Sequence, residues 1–202
     1  MSKRSLTIAL GLAVAVLALS AGLLVRVVME DRGTGSVGIA TTASFGAPFT
    51  LTDYNGAPIT EAAFEGAPSL LFFGFTHCPD VCPTTVYEIE GWFRALGEEG
   101  ADVNAFFVTV DPERDTVDYL ADYLKPQSDR VVGITGDPDA VWDMARAWRV
   151  YWKKHPLGDG DYTMDHFASV YVLNRQGELF DKISYGEDAE SAIAKIRAAL
   201  DT

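Results

Sequence analysis

From residue 44 onward, short apolar runs alternate with amphipathic stretches, and each is closed by a turn signal. Residues 69–75, Ser-Leu-Leu-Phe-Phe-Gly-Phe, form a nearly continuous apolar run, which predicts a central strand buried on both faces. Residues 105–110 read the same way, and Val131–Thr135 supplies a third strand. Between the first two, Pro83-Thr84-Thr85 opens a helix in which Val86, Ile89, Phe93 and Leu96 recur on one side, with Gly97 and Gly100 ending it. Val117–Leu124 predicts a second helix, preceded by Asp111-Pro112-Glu113-Arg114-Asp115-Thr116. Residues 140–148 predict a third, started by Asp137-Pro138-Asp139, because aspartate caps free amides and proline suits the first helical turn. At the front, residues 49–52 and 57–60 flank Asn55-Gly56, a hairpin signal. At the back, residues 168–173 and 179–184 flank Asn174-Arg175-Gln176-Gly177 as a second hairpin, and Ala189–Leu200 is an amphipathic helix.

The order β-hairpin, β-α-β-α-β-α, β-β-α implies an α/β domain with a mixed sheet and helices on both faces. That is the layout of a thioredoxin-like fold carrying insertions. In open α/β sheets, chemistry gathers at the carboxyl ends of strands. Cys78 and Cys82 follow one such end directly, and Asp111 follows another.

Ahead of the domain the pattern changes. Lys3 and Arg4 precede a run without charge at residues 5–25, and Arg26, Glu30, Asp31 and Arg32 follow it. A helix needs about 20 apolar residues to cross a bilayer, whereas the apolar part of a cleaved signal is roughly 7 to 15 long. Residues 1–32 therefore read as an uncleaved, single-pass anchor. Cleavage near Ala18-Leu19-Ser20, as a signal sequence, is the alternative. Lys3 and Arg4 favour a cytoplasmic N-terminus, which places the rest on the periplasmic side of the cytoplasmic (inner) membrane. Residues 33–43 are small and polar and read as a linker, leaving residues 44–202 as one domain with a single core.

The chain holds 29 acidic residues against 16 basic ones, and Lys3, Arg4 and Arg26 flank the apolar run, so the domain is more acidic still. Nucleic acid is excluded as a partner, since phosphate binding needs basic patches. The acidity suits a cationic partner or a metal, and equally a merely soluble surface.

The only two cysteines, Cys78 and Cys82, sit in Phe75-Thr76-His77-Cys78-Pro79-Asp80-Val81-Cys82-Pro83. A disulfide closing so short a loop removes little entropy from the unfolded chain and stabilises it little. The spacing suits redox exchange or the binding of one soft metal ion, and both readings stand. Two thiolates alone leave a metal under-coordinated, so a third ligand is expected among the three histidines. His166 ranks first, because it lies just before a strand whose entry faces the cysteine turn in a thioredoxin-like sheet. His77 ranks lower because it adjoins Cys78, and His155 reads as an exposed loop residue. Thiolates and imidazole suit Cu(I) and Cu(II), whereas structural zinc calls for a fourth protein ligand, so copper outranks zinc. Asp111 and Asp115 are candidates for supporting the ligands or tuning the thiols, against a plain backbone role in an Asp-Pro turn.

A peroxiredoxin needs threonine or serine three residues before its reactive cysteine, and Phe75 and Pro79 stand there instead. Thioredoxin-like exchangers usually have two residues between their cysteines, where this chain has three. Trp142, Trp148, Tyr151 and Trp152 read either as a docking surface or as core and rim packing.

On the cysteine run, on Val110-Asp111-Pro112-Glu113-Arg114-Asp115-Thr116 and on Asp165-His166 before an apolar strand, the chain resembles the Sco (SenC/PrrC) family of membrane-anchored copper proteins. The resemblance implies copper bound by Cys78, Cys82 and His166, and a metallochaperone role in building the CuA centre on subunit II of cytochrome c oxidase. Under that reading a copper donor protein and the inner membrane are further partners. The alternative is a thiol:disulfide oxidoreductase that reduces the client's copper-ligand cysteines through Cys78 and Cys82.

Overall fold

The computed structural model describes residues 45–202. The anchor and the linker expected before them lie outside the described residues. Nine strands are described: β1 (Thr50–Asp53), β2 (Pro58–Thr60), β3 (Ser69–Gly74), β4 (Asn104–Thr109), β5 (Val131–Thr135), β6 (Trp152–Gly158), β7 (Asp161–His166), β8 (Val170–Leu173) and β9 (Leu179–Ile183). The helices are α1 (Val81–Leu96), α2 (Val117–Leu124), α3 (Pro138–Ala147) and α4 (Ala189–Leu200).

Seven strands form one sheet in the order β2-β1-β5-β4-β3-β8-β9. β3, β4 and β5 are parallel at its centre, and the flanking pairs are antiparallel. Every residue of β3 is buried, as its apolar sequence requires of a strand covered on both faces. Alternation along β4 sorts the two layers. Phe107 and its β5 partner Gly133 face α2, where Tyr123 lies 6.0 Å from the Phe107 ring and Leu120 and Leu124 crowd over the glycine. Phe106 faces the other way, onto Phe64 at 4.9 Å, with Trp148 after α3 a further 6.1 Å beyond. This is the thioredoxin-like mixed sheet with helices on both faces that the element order implied.

Helix boundaries shift by a turn or less. α1 begins at Val81 rather than at Pro83, because a proline in the first turn has no amide that the helix would miss. α3 begins at Pro138, its N-cap Asp137 accepting from the amides of Asp139 and Ala140 at 3.1 and 3.3 Å.

One unit was not anticipated. β6 and β7 form a separate two-stranded ribbon, closed at Asp159-Gly160 with positive φ of 50° and 84°. His155, expected in a loop, therefore lies within β6, its Nε2 2.8 Å from Asp165 Oδ2. The aromatic cluster disperses: Trp148 is core, Trp142 donates to the Val110 carbonyl at 3.3 Å, Trp152 lies under Arg146, and only Tyr151 is well exposed.

Candidate metal centre

The site sits where β3 ends and α1 begins. β3 runs out at Gly74 against buried Phe107, and a tight turn brings the Cys78 amide 3.3 Å from the Phe75 carbonyl. The first amides of a helix have no partner within it. Here the Cys82 amide donates to Cys78 Sγ at 3.4 Å, and Asp80, the N-cap residue, gives no side-chain cap. Capping by sulfur thus fixes one thiol above the other, and both cysteines are free thiols.

His166 ends β7 and reaches the same point. Its Nε2 lies 3.5 Å from Cys82 Sγ, and the three candidate ligand atoms all fall within 4.8 Å of one another. Nδ1 is 3.0 Å from the Phe167 carbonyl, which can only accept, so the ring proton sits on Nδ1 and the Nε2 lone pair faces the thiols. Phe75 and Phe72 meet the imidazole edge-on at 5.6 and 6.0 Å and restrict its rotation. Cys82 is fully buried, while Cys78 and His166 are partly accessible, so the site opens to solvent on one side.

The thiols are electrostatically unlike. Cys78 is held well below the ordinary thiol range, chiefly by the neighbouring Cys82 thiol, with the Asp80 and Cys82 amides assisting against burial. Cys82 is pushed far up by burial and by the adjacent Cys78. The first sulfur is the anionic one.

Behind the turn, Asp115 is completely buried. It accepts from the Thr76 amide at 3.1 Å, the Thr76 hydroxyl at 2.5 Å and the Thr109 hydroxyl at 2.6 Å. Burial raises its pKa although those donors oppose it. Asp115 therefore pins the residues before Cys78 to the end of β4. Asp111 instead bonds Tyr162 and Arg114, at 2.7 and 2.5 Å. Neither aspartate belongs to the three-residue group.

His77 stays outside it too, its Nδ1 3.1 Å from the Thr76 hydroxyl and its ring stacked on Tyr119 at 5.2 Å. Thr109 and Tyr162 went unremarked in the sequence, and Thr76 entered only as a member of the cysteine run, with no role of its own. The Asp159-Gly160 pair was the one local signal for the ribbon that carries Tyr162 and His166.

Fold and site together define a thioredoxin-like α/β domain bearing a soft Cys2His group at the end of its central strand. The chain belongs to the SCO1/SenC family, whose model matches residues 38–201. Among solved structures, ScoI of Bradyrhizobium japonicum with copper bound is 43% identical, with a TM-score of 0.72 over 78% of this chain and 100% of that one. Yeast Sco1 with copper bound is 31% identical, with a TM-score of 0.73 over 79% of this chain and 90% of that one. Mitochondrial SCO2 of Saccharomyces cerevisiae is 34% identical over 173 residues, which is 84% of this chain and 56% of that protein. The chain spans about half the length of the curated relatives it matches.

Proposed function

We propose that the chain is a membrane-anchored copper metallochaperone that delivers copper to, or helps assemble, the CuA centre of cytochrome c oxidase subunit II. Cys78, Cys82 and His166 hold one copper ion, as Cu(I) or Cu(II), received from a copper donor protein. Residues 1–32 anchor it by one helix in the cytoplasmic (inner) membrane, residues 33–43 tether it, and residues 44–202 face the periplasm.

The observation that carries this reading is the convergence of Cys78 Sγ, Cys82 Sγ and His166 Nε2 within 4.8 Å at a strand's carboxyl end. The donor set is soft, and among the described residues no fourth ligand joins it, which favours copper over structural zinc. Membership of the family supports it, as do the copper-bound ScoI and Sco1 relatives. Three ligands on a partly open site leave room for a client's ligand to enter before these leave, as transfer requires.

The test is titration of the full, reduced chain in detergent with Cu(I) and with Cu(II). One tight copper per chain is expected, lost in Cys78→Ser, with Cu(II) binding weakened far more by His166→Ala than by His155→Ala. Equal binding by the two histidine variants would remove His166 from the site.

The unequal thiols favour a second reading, a thiol:disulfide oxidoreductase. The accessible Cys78 thiolate attacks a client disulfide and Cys82 resolves the mixed disulfide, so the client gains two thiols and this pair becomes a disulfide. Under it, metal-free protein and His166→Ala reduce the client at the parent rate. Dependence on His166 would count against it.

A further inference from the structure

His166 is carried by a ribbon that has little else to hold it. In β6, Lys153, Lys154, Pro156, Leu157 and Gly158 are exposed, and in β7 only Met164 is buried. At the near end the Phe167 amide donates to the Tyr151 carbonyl at 2.9 Å, continuing the ribbon's own ladder, and Phe167 stacks on Tyr171 of the body at 5.5 Å. A two-stranded ribbon alone is marginal in water. Something must hold its far half.

Residues at i, i+2 and i+4 of a strand line one face, so Tyr162, Met164 and His166 point the same way, toward the body. Four residues along a strand span roughly 13 Å. From that far along β7, the Tyr162 side chain reaches the body, where its hydroxyl donates to Asp111 Oδ1 at 2.7 Å. The other Asp111 oxygen accepts from Arg114 Nε at 2.5 Å. Arg114 Nη1 in turn donates to the Tyr162 carbonyl at 2.9 Å and to Asp161 at 3.3 Å, while its guanidinium lies 3.7 Å over the Tyr162 ring. Lys154 approaches the same ring at 4.0 Å and pairs with Glu113. Asp111 is 1% exposed and its amide donates to Thr109 Oγ1 at 2.9 Å, so the body side of this contact is rigid.

We propose that Asp111, Arg114 and Tyr162 form a latch that holds the β6–β7 ribbon on the body and so positions His166 over Cys78 and Cys82. They are positioning residues, and none of them touches the metal. The inference rests on the copper reading of the site. Soft Cu(I) draws most of its binding from the two thiolates, whereas the harder Cu(II) leans more on the imidazole. Releasing the latch therefore costs Cu(II) and spares Cu(I).

The experiment uses the full chain with Tyr162→Phe, which keeps the ring and removes the hydroxyl, and Arg114→Lys as a second variant. Both should bind Cu(I) within about three-fold of the parent and lose ten-fold or more in Cu(II) affinity, the size usual for residues that orient ligands. The thiolate-to-Cu(II) absorption band should move toward that of His166→Ala, and adding His166→Ala should cost nothing further. In copper-free protein, amides of residues 152–166 should exchange at least ten-fold faster, with β3 and β4 unchanged. Parent-like Cu(II) binding in both variants overturns the latch, and so does weakened Cu(II) binding without faster ribbon exchange. A parent chain that takes up no copper refutes the copper reading instead, and ribbon exchange alone then decides whether the latch holds.

Discussion

At the scale of single residues, burial decides the chemistry of the pair. Cys78 and Cys82 share a turn, yet the first is half-buried and anionic while the second is sealed and protonated. An ordinary thiol, of pKa about 8.5, loses roughly ten-fold in reactive thiolate for each pH unit below that value. Cys78 has its folded pKa lowered, so its thiolate persists as the pH falls. Carboxymethylation of the reduced, copper-free chain should therefore modify Cys78 at rates within about two-fold between pH 8 and pH 6, and leave Cys82 untouched. A ten-fold drop per unit would show that Cys78 is an unperturbed thiol. Asp115 makes the complementary case: an acidic side chain 0% exposed is tolerated because three donors converge on it. Thr76 supplies two of those donors, two residues before Cys78, so a buried acidic side chain outside the three-residue group still sets where the first cysteine stands.

At the scale of elements, the join of β3 to α1 is under tight steric control. A Cβ on Gly74 would stand 2.8 Å from the rings of Phe72 and Phe107, both fully buried, with nowhere for either ring to go. Gly91, in the middle of α1, would meet only the end of the Arg94 side chain at 3.8 Å. Gly74→Ala should lower stability by about 1–3 kcal/mol through overpacking. Gly91→Ala should raise it by about 0.5–1 kcal/mol through helix propensity and a less flexible unfolded chain. Urea midpoints moving in opposite directions would bear this out; equal shifts would mean that the strand end relaxes freely. The same contrast explains what the sequence disclosed. β3, β4 and β5 were legible because burial on both faces leaves a continuous apolar run, and α3 because Asp137-Pro138 is a start signal in itself. The β6–β7 ribbon was not, since Lys153, Lys154, His155 and Pro156 show no alternation and its seat is polar. Cys78 and Cys82 were evident from spacing, and His166 only from its place before β8. The Asp115 and Asp111 contacts reach partners 39 and 51 positions away, which no local pattern records.

At the scale of the whole molecule, charge and hydropathy separate two ways of reaching a membrane. The chain carries a net charge of −13, with Lys3, Arg4 and Arg26 among its few cations close to the uncharged run at residues 5–25. So acidic a domain is repelled by anionic lipid headgroups, so electrostatic adsorption cannot hold it at a bilayer surface. Under the proposed anchor, retention there comes from the apolar run, since burial of such a run in hydrocarbon would be insensitive to salt. The full chain should therefore remain with membranes after washing in 1 M salt, where the Debye length is about 3 Å, and after washing in alkaline carbonate. Residues 44–202 alone should stay in the supernatant at every salt concentration. A chain released by carbonate, with an N-terminus mapped just after Ser20, would instead mark the apolar run as a cleaved signal. The copper site would then have to find a membrane-bound client by diffusion rather than from a tether beside it.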